Sequence, residues 1–435
     1  MNLTPAQQTA GRRNFLKALA GTPALAALGV AAAVKGPVRG GPVRVGFIGV
    51  GAQGRVQLDN TEPAYAEVRA LCDINPTSLA KADDVLAKRG RPPARHYTEW
   101  RDMLEKEDLE AVIMAPPLWM HAEIASGCLE SGKHVLCEKM MAWDVAGCER
   151  MIRAAEHSGR ILEIGYQRNY NPIYHAAYDG IIKAGVLGEI YHARLAWHRN
   201  ADWRRAGAPP SPDYDPSRWG YPTFDHLWNW RLYWKYSQGL FAELASHQLN
   251  VANWFFGATP SAVFASGGLY RFKDGTREVY DHVYGTFEYP GGRTATFSSI
   301  ESNAFDQYYE AYFGTKGTLI LERERDAFLF EEGAGSKPPA IDVVAATTGA
   351  AAVDASESRP AGAAPPLEAR TPALQPPQGP QTPGRPSATR FQSARFCEAI
   401  RVNRPIACGA ARAIHSARAC ILANEAVRTH TRLTI

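Results

Sequence analysis

Apolar and polar positions follow two different patterns along the chain, and the first occupies residues 43–165. Short runs of apolar and β-branched residues alternate there with stretches in which apolar residues recur every three or four positions. The strand-like runs are residues 43–50, 67–72, 109–115, 134–138 and 161–165. This alternation predicts an α/β fold, with a Rossmann-type doubly wound parallel sheet that binds its ligand at the carboxyl ends of the strands.

The second pattern begins near residue 186, where apolar and polar residues alternate one by one. Such alternation is typical of strands with one buried face, so it predicts a C-terminal α+β domain with a largely antiparallel open sheet. The predicted strands are residues 189–197, 262–270, 282–289, 293–300, 308–313 and 318–322. Within this domain, residues 240–256 have helical periodicity and end at a glycine.

These patterns divide the chain into five segments. The segment rich in proline and alanine has no periodicity, so it is predicted to be a disordered insertion between the second domain and two C-terminal helices. The predicted segments are a leader (1–33), a nucleotide-binding domain (43–166), a substrate and oligomerisation domain (167–332), the insertion (333–389) and the C-terminal helices (390–435).

Composition narrows the class of protein. Hydrophobic residues make up 45% of the chain and charged residues 21%, which is typical of soluble globular proteins. The formal net charge of +4 is too small to indicate a nucleic-acid partner. The 7 cysteines contain no C-x-x-C pair, so neither a disulfide framework nor a metal site is predicted.

The N-terminus has the layout of an export signal. Arg12 and Arg13 are followed by Phe15, Lys17 and an apolar, alanine-rich stretch that ends near Ala33. The pair resembles the twin-arginine signal, which exports folded proteins and would place this one in the periplasm or outside the cell. The alternative is a membrane anchor, but the apolar stretch is shorter than the roughly 20 residues that a permanent span requires.

A glycine motif follows the first predicted strand. Gly49, Gly51 and Gly54 form G-x-G-x-x-G, with Ala52 and Gln53 between the last two. The first glycine permits a tight turn, the second lets the backbone approach a pyrophosphate, and the third allows close packing of the following helix. The helix N-terminus adds amide donors for the phosphates, so all five residues are predicted to bind a dinucleotide.

Asp73 indicates which dinucleotide is bound. It ends the second predicted strand, 19 residues after Gly54, where a carboxylate accepts hydrogen bonds from the adenosine ribose. A 2′-phosphate would be repelled there, and Ile74 and Asn75 offer no arginine to bind one, so NAD is preferred over NADP. The alternative is that the glycines only turn the chain and Asp73 caps a helix that begins at Pro76.

At the end of the fourth strand-like run, residues 134–138, Cys137 is followed by Glu138, Lys139 and Met140. With the glycine motif, this segment resembles the glucose-fructose oxidoreductase and inositol dehydrogenase family (Gfo/Idh/MocA), which has Glu-Lys-Pro here. The resemblance covers residues 43–322 and resumes at 391. It implies that Lys139 lies beside the nicotinamide and the reacting carbon and that Glu138 orients it.

Physically, the Lys139 ammonium can bind the nicotinamide ribose and stabilise the oxygen that becomes negative as hydride leaves the substrate. An ordinary surface lysine is the alternative. The resemblance also implies that Pro117 and His121 belong to the cofactor loop, although His121 could instead cap a helix. Tyr166, Gln167 and Arg168 would lie near the nicotinamide edge, with Tyr166 and Arg168 available to the substrate and Gln167 to the cofactor.

Three polar residues share one face of the helix predicted over 240–256. Glu243, His247 and Asn250 stand at positions i, i+4 and i+7. The family's helix carries D-x-G-x-H-x-x-D at this place, which implies that His247 is the general acid or base and that Glu243 and Asn250 bind substrate. Imidazole suits proton transfer near neutral pH. The alternatives are a buried structural histidine, or a metal site for which no third ligand is identified.

Aromatic residues crowd positions 197–236 and include six tryptophans. Flat aromatic faces can pack against the C–H faces of a sugar, so the segment could form a wall of the substrate pocket. It could equally be an arm that packs on another subunit. A homo-oligomer through the C-terminal sheet is expected, because the family frequently uses that face as an interface.

These features together predict an exported oxidoreductase that transfers hydride between tightly bound NAD and a sugar or cyclitol. Tight binding is expected because free NAD should be scarce outside the cytoplasm. One alternative is an NAD-dependent glycosidase or lyase, in which a transient ketone acidifies the neighbouring C–H and lets the leaving group depart. Another is a protein that binds nucleotide or sugar without catalysis.

Overall fold

The computed structural model describes residues 3–20, 22–23, 40–333 and 387–435. The expected end of the leader near Ala33 and nearly all of the predicted insertion therefore lie outside the described residues.

The first described sheet has six strands, all parallel, in the order β3-β2-β1-β4-β5-β6. Its strands are β1 (Val43–Ile48), β2 (Ala66–Cys72), β3 (Arg95–Tyr97), β4 (Ala111–Met114), β5 (His134–Glu138) and β6 (Leu162–Gly165). The strand order reverses direction at β1 and β4, and open parallel sheets bind ligands at this switch point. The predicted doubly wound α/β fold is confirmed.

The second sheet has eight described strands in the order β13-β12-β11-β7-β10-β9-β8-β14. Neighbours are antiparallel except for β7 and β10, which run parallel, so the prediction of a largely antiparallel sheet is also confirmed. The strands are β7 (Ile190–His198), β8 (Ala262–Gly268), β9 (His282–Tyr289), β10 (Arg293–Ile300), β11 (Tyr308–Gly314), β12 (Gly317–Glu322), β13 (Asp326–Glu331) and β14 (Leu433–Thr434).

Helices cover both faces of the parallel sheet and one face of the mixed sheet. In the described residues the α-helices are α1 (Pro5–Leu19), α2 (Ala52–Asn60), α3 (Pro76–Lys88), α4 (Trp100–Lys106), α5 (His121–Glu130), α6 (Val145–Ser158), α7 (Pro172–Ala177), α8 (Phe224–Trp228), α9 (Ser246–Phe256), α10 (Ala388–Val402) and α11 (Ala410–Thr429). A π-helical turn, Phe241–Ala245, leads directly into α9.

The C-terminal helices join the two sheets. In α10, Ala394 and Phe396 are buried against the parallel sheet, and Arg401 forms a bidentate ion pair with Glu110 at 2.6 and 2.8 Å. Helix α11 packs against β8 of the mixed sheet and against α6 of the parallel domain. The last segment of the chain therefore fixes one domain against the other.

The N-terminal helix α1 lies on the edge strand β13 of the mixed sheet. Phe15 and Leu19 are buried there, and Arg12 forms an ion pair with Asp326 at 2.8 Å. No helix in the described part of the chain combines the length and the apolar character needed to cross a membrane.

Candidate active site

The glycine loop has the shape that a dinucleotide needs. Gly49 has a φ of +78°, and a Cβ there would lie 2.6 Å from the backbone nitrogen of Pro116. A Cβ on Gly54 would lie 2.0 Å from the carbonyl oxygen of Gly49, whereas a Cβ on Gly51 would meet no atom within 4 Å. Helix α2 begins at Ala52, so the space above Gly51 adjoins free amide donors of a helix N-terminus. These residues fit a bound pyrophosphate.

Asp73 lies beside this loop at the end of β2. Its carboxylate accepts hydrogen bonds from the backbone N–H groups of Val50 and Asn75, both at 2.8 Å. Burial raises the pKa of Asp73 to about 6, although those two hydrogen bonds oppose the shift. Asn75, and not Asp73, caps helix α3 by accepting from the Thr77 amide at 2.9 Å. The capping alternative for Asp73 is therefore excluded, and its position fits an acceptor for the ribose hydroxyls.

Glu138 ends β5 and is held by two glutamine amides. One carboxylate oxygen accepts from Gln53 at 2.8 Å and from Gln57 at 2.6 Å, and the other accepts from the backbone N–H of Lys139 at 3.2 Å. Glu138 therefore contacts Lys139 through the lysine backbone N–H, while the amides of α2 hold the other carboxylate oxygen. That Glu138 orients the Lys139 ammonium stays a prediction. Gln57 was not predicted as a site residue, although it stands four residues after Gln53 on one helix face.

The Lys139 side chain instead reaches the second domain. Its Nζ donates to the carbonyl oxygen of Glu243 at 3.0 Å and lies 3.4 Å from the carboxylate oxygen Oε2 of that residue. Arg231 donates to the same Oε2 at 3.1 Å. Burial acts to raise the pKa of Glu243, but Lys139 and Arg231 outweigh it and lower that pKa to about 2. The peptide bond between Lys139 and Met140 is cis.

His247 follows Glu243 by one turn and is 8% exposed. Its Nδ1 is buried without a hydrogen-bond partner in the described part of the chain. Burial, and then the charge of Lys139, lower the pKa of His247 well below its usual 6.5, so the ring is neutral at physiological pH. In the described residues no group of three or more His, Cys, Asp or Glu side chains is placed to hold a metal ion.

These residues meet in one cleft of about 1090 Å³ between the two sheets. Cofactor-side and substrate-side candidates share it, so the structure brings together residues that lie far apart in the sequence. Its inner wall includes Gln53, His121, Glu138, Lys139, Gln167, Glu243 and His247, together with Trp197, Trp203, Trp230 and Arg231. Three tryptophans of the aromatic segment therefore face the cleft, as the pocket-wall interpretation predicted.

His121 connects two loops at the edge of this cleft, and Pro117 lies on one of them. His121 is buried, with Nδ1 2.8 Å from the Met140 carbonyl oxygen and Nε2 3.2 Å from that of Pro116. Burial lowers the pKa of His121 to about 4, so the neutral ring donates to one carbonyl only. Pro117 precedes the short 3₁₀ turn Leu118–Met120. His121 thus joins two strand-end loops at the edge of the cofactor region.

Arg168 and Tyr166 do not line the cleft, so the substrate contacts expected of them are not supported. Arg168 is 1% exposed and pairs with Glu310 and with Glu324, the latter at 2.9 Å. Those carboxylates come from strands and turns of the mixed sheet, which the local sequence around Arg168 does not reveal. Tyr166 packs behind His247, with its ring centroid 6.1 Å from the imidazole.

The substrate contact predicted for Asn250 is likewise not supported. Its side chain lies in the core, where Oδ1 accepts from Asn169 at 2.7 Å and Nδ2 lies 3.5 Å from the Ser416 hydroxyl. Three residues of α-helix turn it about 60° away from His247. The π turn Phe241–Ala245 changes the phase of the helix before His247, so the i, i+7 relationship between Glu243 and Asn250 fails.

Two family profiles match the chain. Residues 43–166 match the profile described as "Oxidoreductase family, NAD-binding Rossmann fold", and residues 175–320 match the "GFO/IDH/MocA C-terminal domain". The first match covers the glycine loop, Asp73 and Lys139. The second covers Glu243 and His247.

Curated relatives include proteins named as glycosyl hydrolases. "Glycosyl hydrolase family 109 protein 2" of Phocaeicola vulgatus is 32% identical over 166 residues, which are 36% of this chain and 38% of the relative. "Glycosyl hydrolase family 109 protein" of Shewanella baltica is 30% identical over 198 residues, 44% of this chain and 39% of the relative. The match thus spans about two fifths of these relatives.

Solved structures share the fold over most of their length. The WlbA dehydrogenase of Bordetella pertussis, in complex with NADH and UDP-GlcNAcA, has a TM-score of 0.63 at 18% identity, covering 91% of this chain and 99% of that one. The aldose-aldose oxidoreductase of Caulobacter crescentus, complexed with glycerol, has a TM-score of 0.63 at 21% identity and covers 91% and 100%. With both family profiles matched around one cleft, the chain belongs to the Gfo/Idh/MocA family of NAD-binding oxidoreductases.

Proposed function

We propose that this protein is an exported enzyme that transfers hydride between a tightly held NAD and a hydroxyl-bearing carbon of a sugar or cyclitol. One observation carries the proposal. An ammonium from the parallel domain, Lys139, and an imidazole from the second domain, His247, line the same cleft beside the nucleotide loop. Oxidation of an alcohol needs groups that handle the hydroxyl proton and oxygen while hydride leaves the carbon.

NAD supplies the hydride acceptor when it is bound. The residues that would hold it are the glycines of the loop, Asp73 at the ribose and Gln53 with Glu138 near the nicotinamide end of the cleft. Lys139 donates to the substrate oxygen and stabilises the negative charge that grows on it. Glu243 fixes the ammonium at 3.0 Å through its carbonyl oxygen, so the lysine enters the reaction already oriented.

His247 acts as the base in this scheme. Because its pKa is lowered, the ring is neutral at physiological pH and can accept the hydroxyl proton. The carbon–hydrogen bond breaks with its electron pair leaving as hydride, the oxygen–hydrogen bond gives its proton to His247, and a carbonyl forms on the substrate. The reverse reaction returns the proton from the imidazolium.

The aromatic wall supports a carbohydrate substrate. Trp197, Trp203 and Trp230 face the cleft, and Arg231 stacks on Trp230 at 4.2 Å while it holds Glu243. Aromatic faces beside polar side chains suit a ligand with apolar C–H faces and a rim of hydroxyls. The sugar-derived ligand named for the WlbA structure and the aldose named for the Caulobacter enzyme support the same class.

The names of the curated relatives support a second candidate, a redox-assisted glycosidase or lyase. A ketone formed beside a ring C–H makes that hydrogen acidic, so a base can remove it and the glycosidic oxygen can depart. Departure of the aglycone as its alcohol would leave a carbon–carbon double bond conjugated to the ketone. In a glycosidase water would add to that double bond, and in a lyase it would remain; in both, the hydride removed in the first step would return to the ketone and restore the hydroxyl. The same cleft can perform the first step, since Lys139 and His247 serve the hydroxyl in both schemes.

The two candidates differ in products. The purified protein is analysed for bound NAD and then mixed with a panel of free sugars, cyclitols and aryl glycosides. Stable reduction of the nicotinamide, seen as its new ultraviolet absorbance band, supports net oxidoreduction. Aglycone release without net reduction supports the glycosidase. A protein that carries NAD and gives neither signal, with wild type equal to His247→Ala, contradicts both and leaves ligand binding without catalysis.

Export and assembly are part of the proposal. The twin-arginine resemblance supports export, and exposed Phe264 and Tyr284 on adjacent strands of the mixed sheet support a homo-oligomer through that face. Cell fractionation tests the first: the wild-type chain is expected in the periplasm and Arg12→Lys/Arg13→Lys in the cytoplasm. Sedimentation of wild type and Tyr284→Arg tests the second, and a monomer in both cases contradicts it.

A further inference from the structure

Residues 203–236, here called the strap, belong to the second domain but are tied to strand-end loops of the parallel sheet. On one side, the Tyr214 hydroxyl donates to the carbonyl oxygen of Ile74 at 2.9 Å, just after β2. The Trp219 ring nitrogen donates to Glu99 at 3.2 Å, just after β3. Both anchors are at the carboxyl edge of the sheet, where the ligand of such a fold lies.

On the other side, the strap is tied to the loops after β4 and β5. The Trp119 ring nitrogen donates to the Tyr221 hydroxyl at 2.8 Å, and the Trp143 ring nitrogen donates to the Trp234 carbonyl oxygen at 3.0 Å. Trp119 also packs edge-on against Tyr221, with ring centroids 5.7 Å apart. Trp219 is anchored on the β3 side and Tyr221 on the β4 side. The strap therefore passes from one set of anchors to the other within two residues.

The strand order of the parallel sheet shows which strand lies between the two sets of anchors. The sequence of neighbours is β3-β2-β1-β4-β5, so β1 stands between the two sets of anchors. The chain from Trp219 to Tyr221 therefore joins anchors on either side of β1, the strand that leads into the loop from Gly49 to Gly54. That loop is open above Gly51. We infer from this order that the strap faces the open side of the glycine loop, where a pyrophosphate would lie.

The strap also has an anchor beside Asp73, the residue predicted to bind the adenosine ribose. Asp73 immediately precedes the Ile74 carbonyl that anchors Tyr214. Burial, and then the Asp73 carboxylate, raise the pKa of Tyr214 to about 12, in keeping with a phenol hydrogen-bonded to the residue next to Asp73. A ribose bound at Asp73 would lie beside Tyr214.

We propose that the strap closes over the dinucleotide from within the same chain, so that NAD leaves only when the strap opens. The inference rests on the proposed function in one respect, since an exported enzyme of this kind needs a cofactor that stays bound through turnover. It assigns a cofactor-retaining role to Tyr214 and to the Trp119–Tyr221 pair. Two of the three tryptophans that face the cleft, Trp203 and Trp230, belong to the strap, so the strap borders the cleft predicted to hold the substrate as well.

The test removes two anchors and keeps the rings. Tyr214→Phe with Tyr221→Phe deletes the two hydroxyls that bond to the Ile74 carbonyl oxygen and to the Trp119 ring nitrogen. The matched control is Tyr270→Phe, a tyrosine that is 78% exposed and lies outside the strap. Each protein is loaded with NADH and mixed with excess NAD⁺, and the loss of bound NADH fluorescence gives the dissociation rate.

The double variant is expected to release NADH about tenfold faster than wild type, because two hydrogen bonds of ordinary strength are lost from the closed state. The control is expected to match wild type. A double variant that releases NADH at the wild-type rate overturns the proposal.

A second measurement needs no substitution. Hydrogen exchange of the wild-type protein with and without NAD is expected to show slower exchange of strap amides in the loaded form, and equal exchange in the two forms overturns the strap. The outcome is independent of the catalytic proposal. If the wild type oxidises no sugar but the double variant releases NADH faster, the strap is supported and the proposed function is contradicted. If the wild type oxidises a sugar but the double variant releases NADH at the wild-type rate, the proposed function is supported and the strap is contradicted.

Discussion

The Nζ of Lys139, at the end of a parallel strand, lies 3.0 Å from the carbonyl oxygen of Glu243 in the second domain. This contact joins the nucleotide-binding half of the cleft to the half that would hold a substrate. It also fixes the position of an ammonium whose side chain is only 12% exposed. Glu243 therefore sets the positions of two cationic side chains in the candidate active site, Lys139 and Arg231.

Glu243→Gln is expected to lower both stability and turnover. The substitution leaves Lys139 and Arg231 near each other without a carboxylate, and breaking a buried pair costs about 3 kcal/mol. Urea unfolding measures the first effect. The Glu243 pKa is about 2 in the folded protein against a usual 4.5, so its stabilisation is complete above pH 4.5 and is lost as pH falls toward 2. A difference between variant and wild type that stays constant from pH 7 to 3 contradicts this assignment.

The pH dependence of turnover tests the role of His247. Because the imidazole pKa is lowered well below 6.5, kcat/KM should stay level as pH falls through 6.5 and decline only at lower pH. His247→Ala should keep NAD and reduce kcat by about 100-fold or more. A rate that falls by half at pH 6.5 in the wild type, and in the same way in the variant, would show that another group is the base.

Two glycine substitutions separate folding from cofactor binding. Gly51→Ala adds a methyl group where no atom lies within 4 Å, so the free energy of unfolding should change little while NAD affinity falls by about tenfold or more. Gly49→Ala brings a methyl group against the Pro116 backbone and places alanine at a φ of +78°, which L-residues disfavour. This substitution should therefore lower the free energy of unfolding. Calorimetric titration with NAD and urea unfolding measure the two effects. Equal NAD affinity in wild type and Gly51→Ala would place the pyrophosphate elsewhere.

The raised pKa of Asp73 leads us to expect that NAD affinity depends on pH. Its pKa is raised to about 6, so lowering the pH from 7 to 5 protonates the carboxyl and removes an acceptor for the ribose hydroxyls. The dissociation constant should rise by about tenfold over this range. Asp73→Asn should bind NAD more weakly and show no such rise. Titrations of both proteins at the two pH values check this, and a parallel rise in Asp73→Asn would assign the effect to another group.

Local patterns were enough to predict the parts of the fold that local physics determines. The strand before Gly49, the open backbone at Gly51 and the acidic end of β2 all follow from residue type and spacing, and the structure has them. The short strand β3 and the edge strand β13 were missed. Strand β3 has only three residues, which is too few to show a strand pattern. Strand β13 ends just before the segment that was predicted to be disordered.

The candidate site was harder to predict, because its contacts cross between domains. Nothing near Lys139 in the sequence indicates that its ammonium reaches Glu243. Likewise, nothing near Arg168 indicates that it is buried and paired with two carboxylates from distant parts of the chain. The error at Asn250 has a different source. Its placement assumed regular helix geometry, and a π turn upstream changes the face that the helix presents to the cleft.

The most direct test of the central claim is hydride transfer to the bound cofactor from a substrate that the protein turns over. A sugar deuterated at the reacting carbon is mixed with the NAD-loaded protein, and mass spectrometry follows the nicotinamide. Wild type and the surface control Lys106→Ala should transfer deuterium to the cofactor, while Lys139→Ala should retain NAD and transfer it at least about 100-fold more slowly. Turnover by wild type with no deuterium on the nicotinamide at any time would contradict the account.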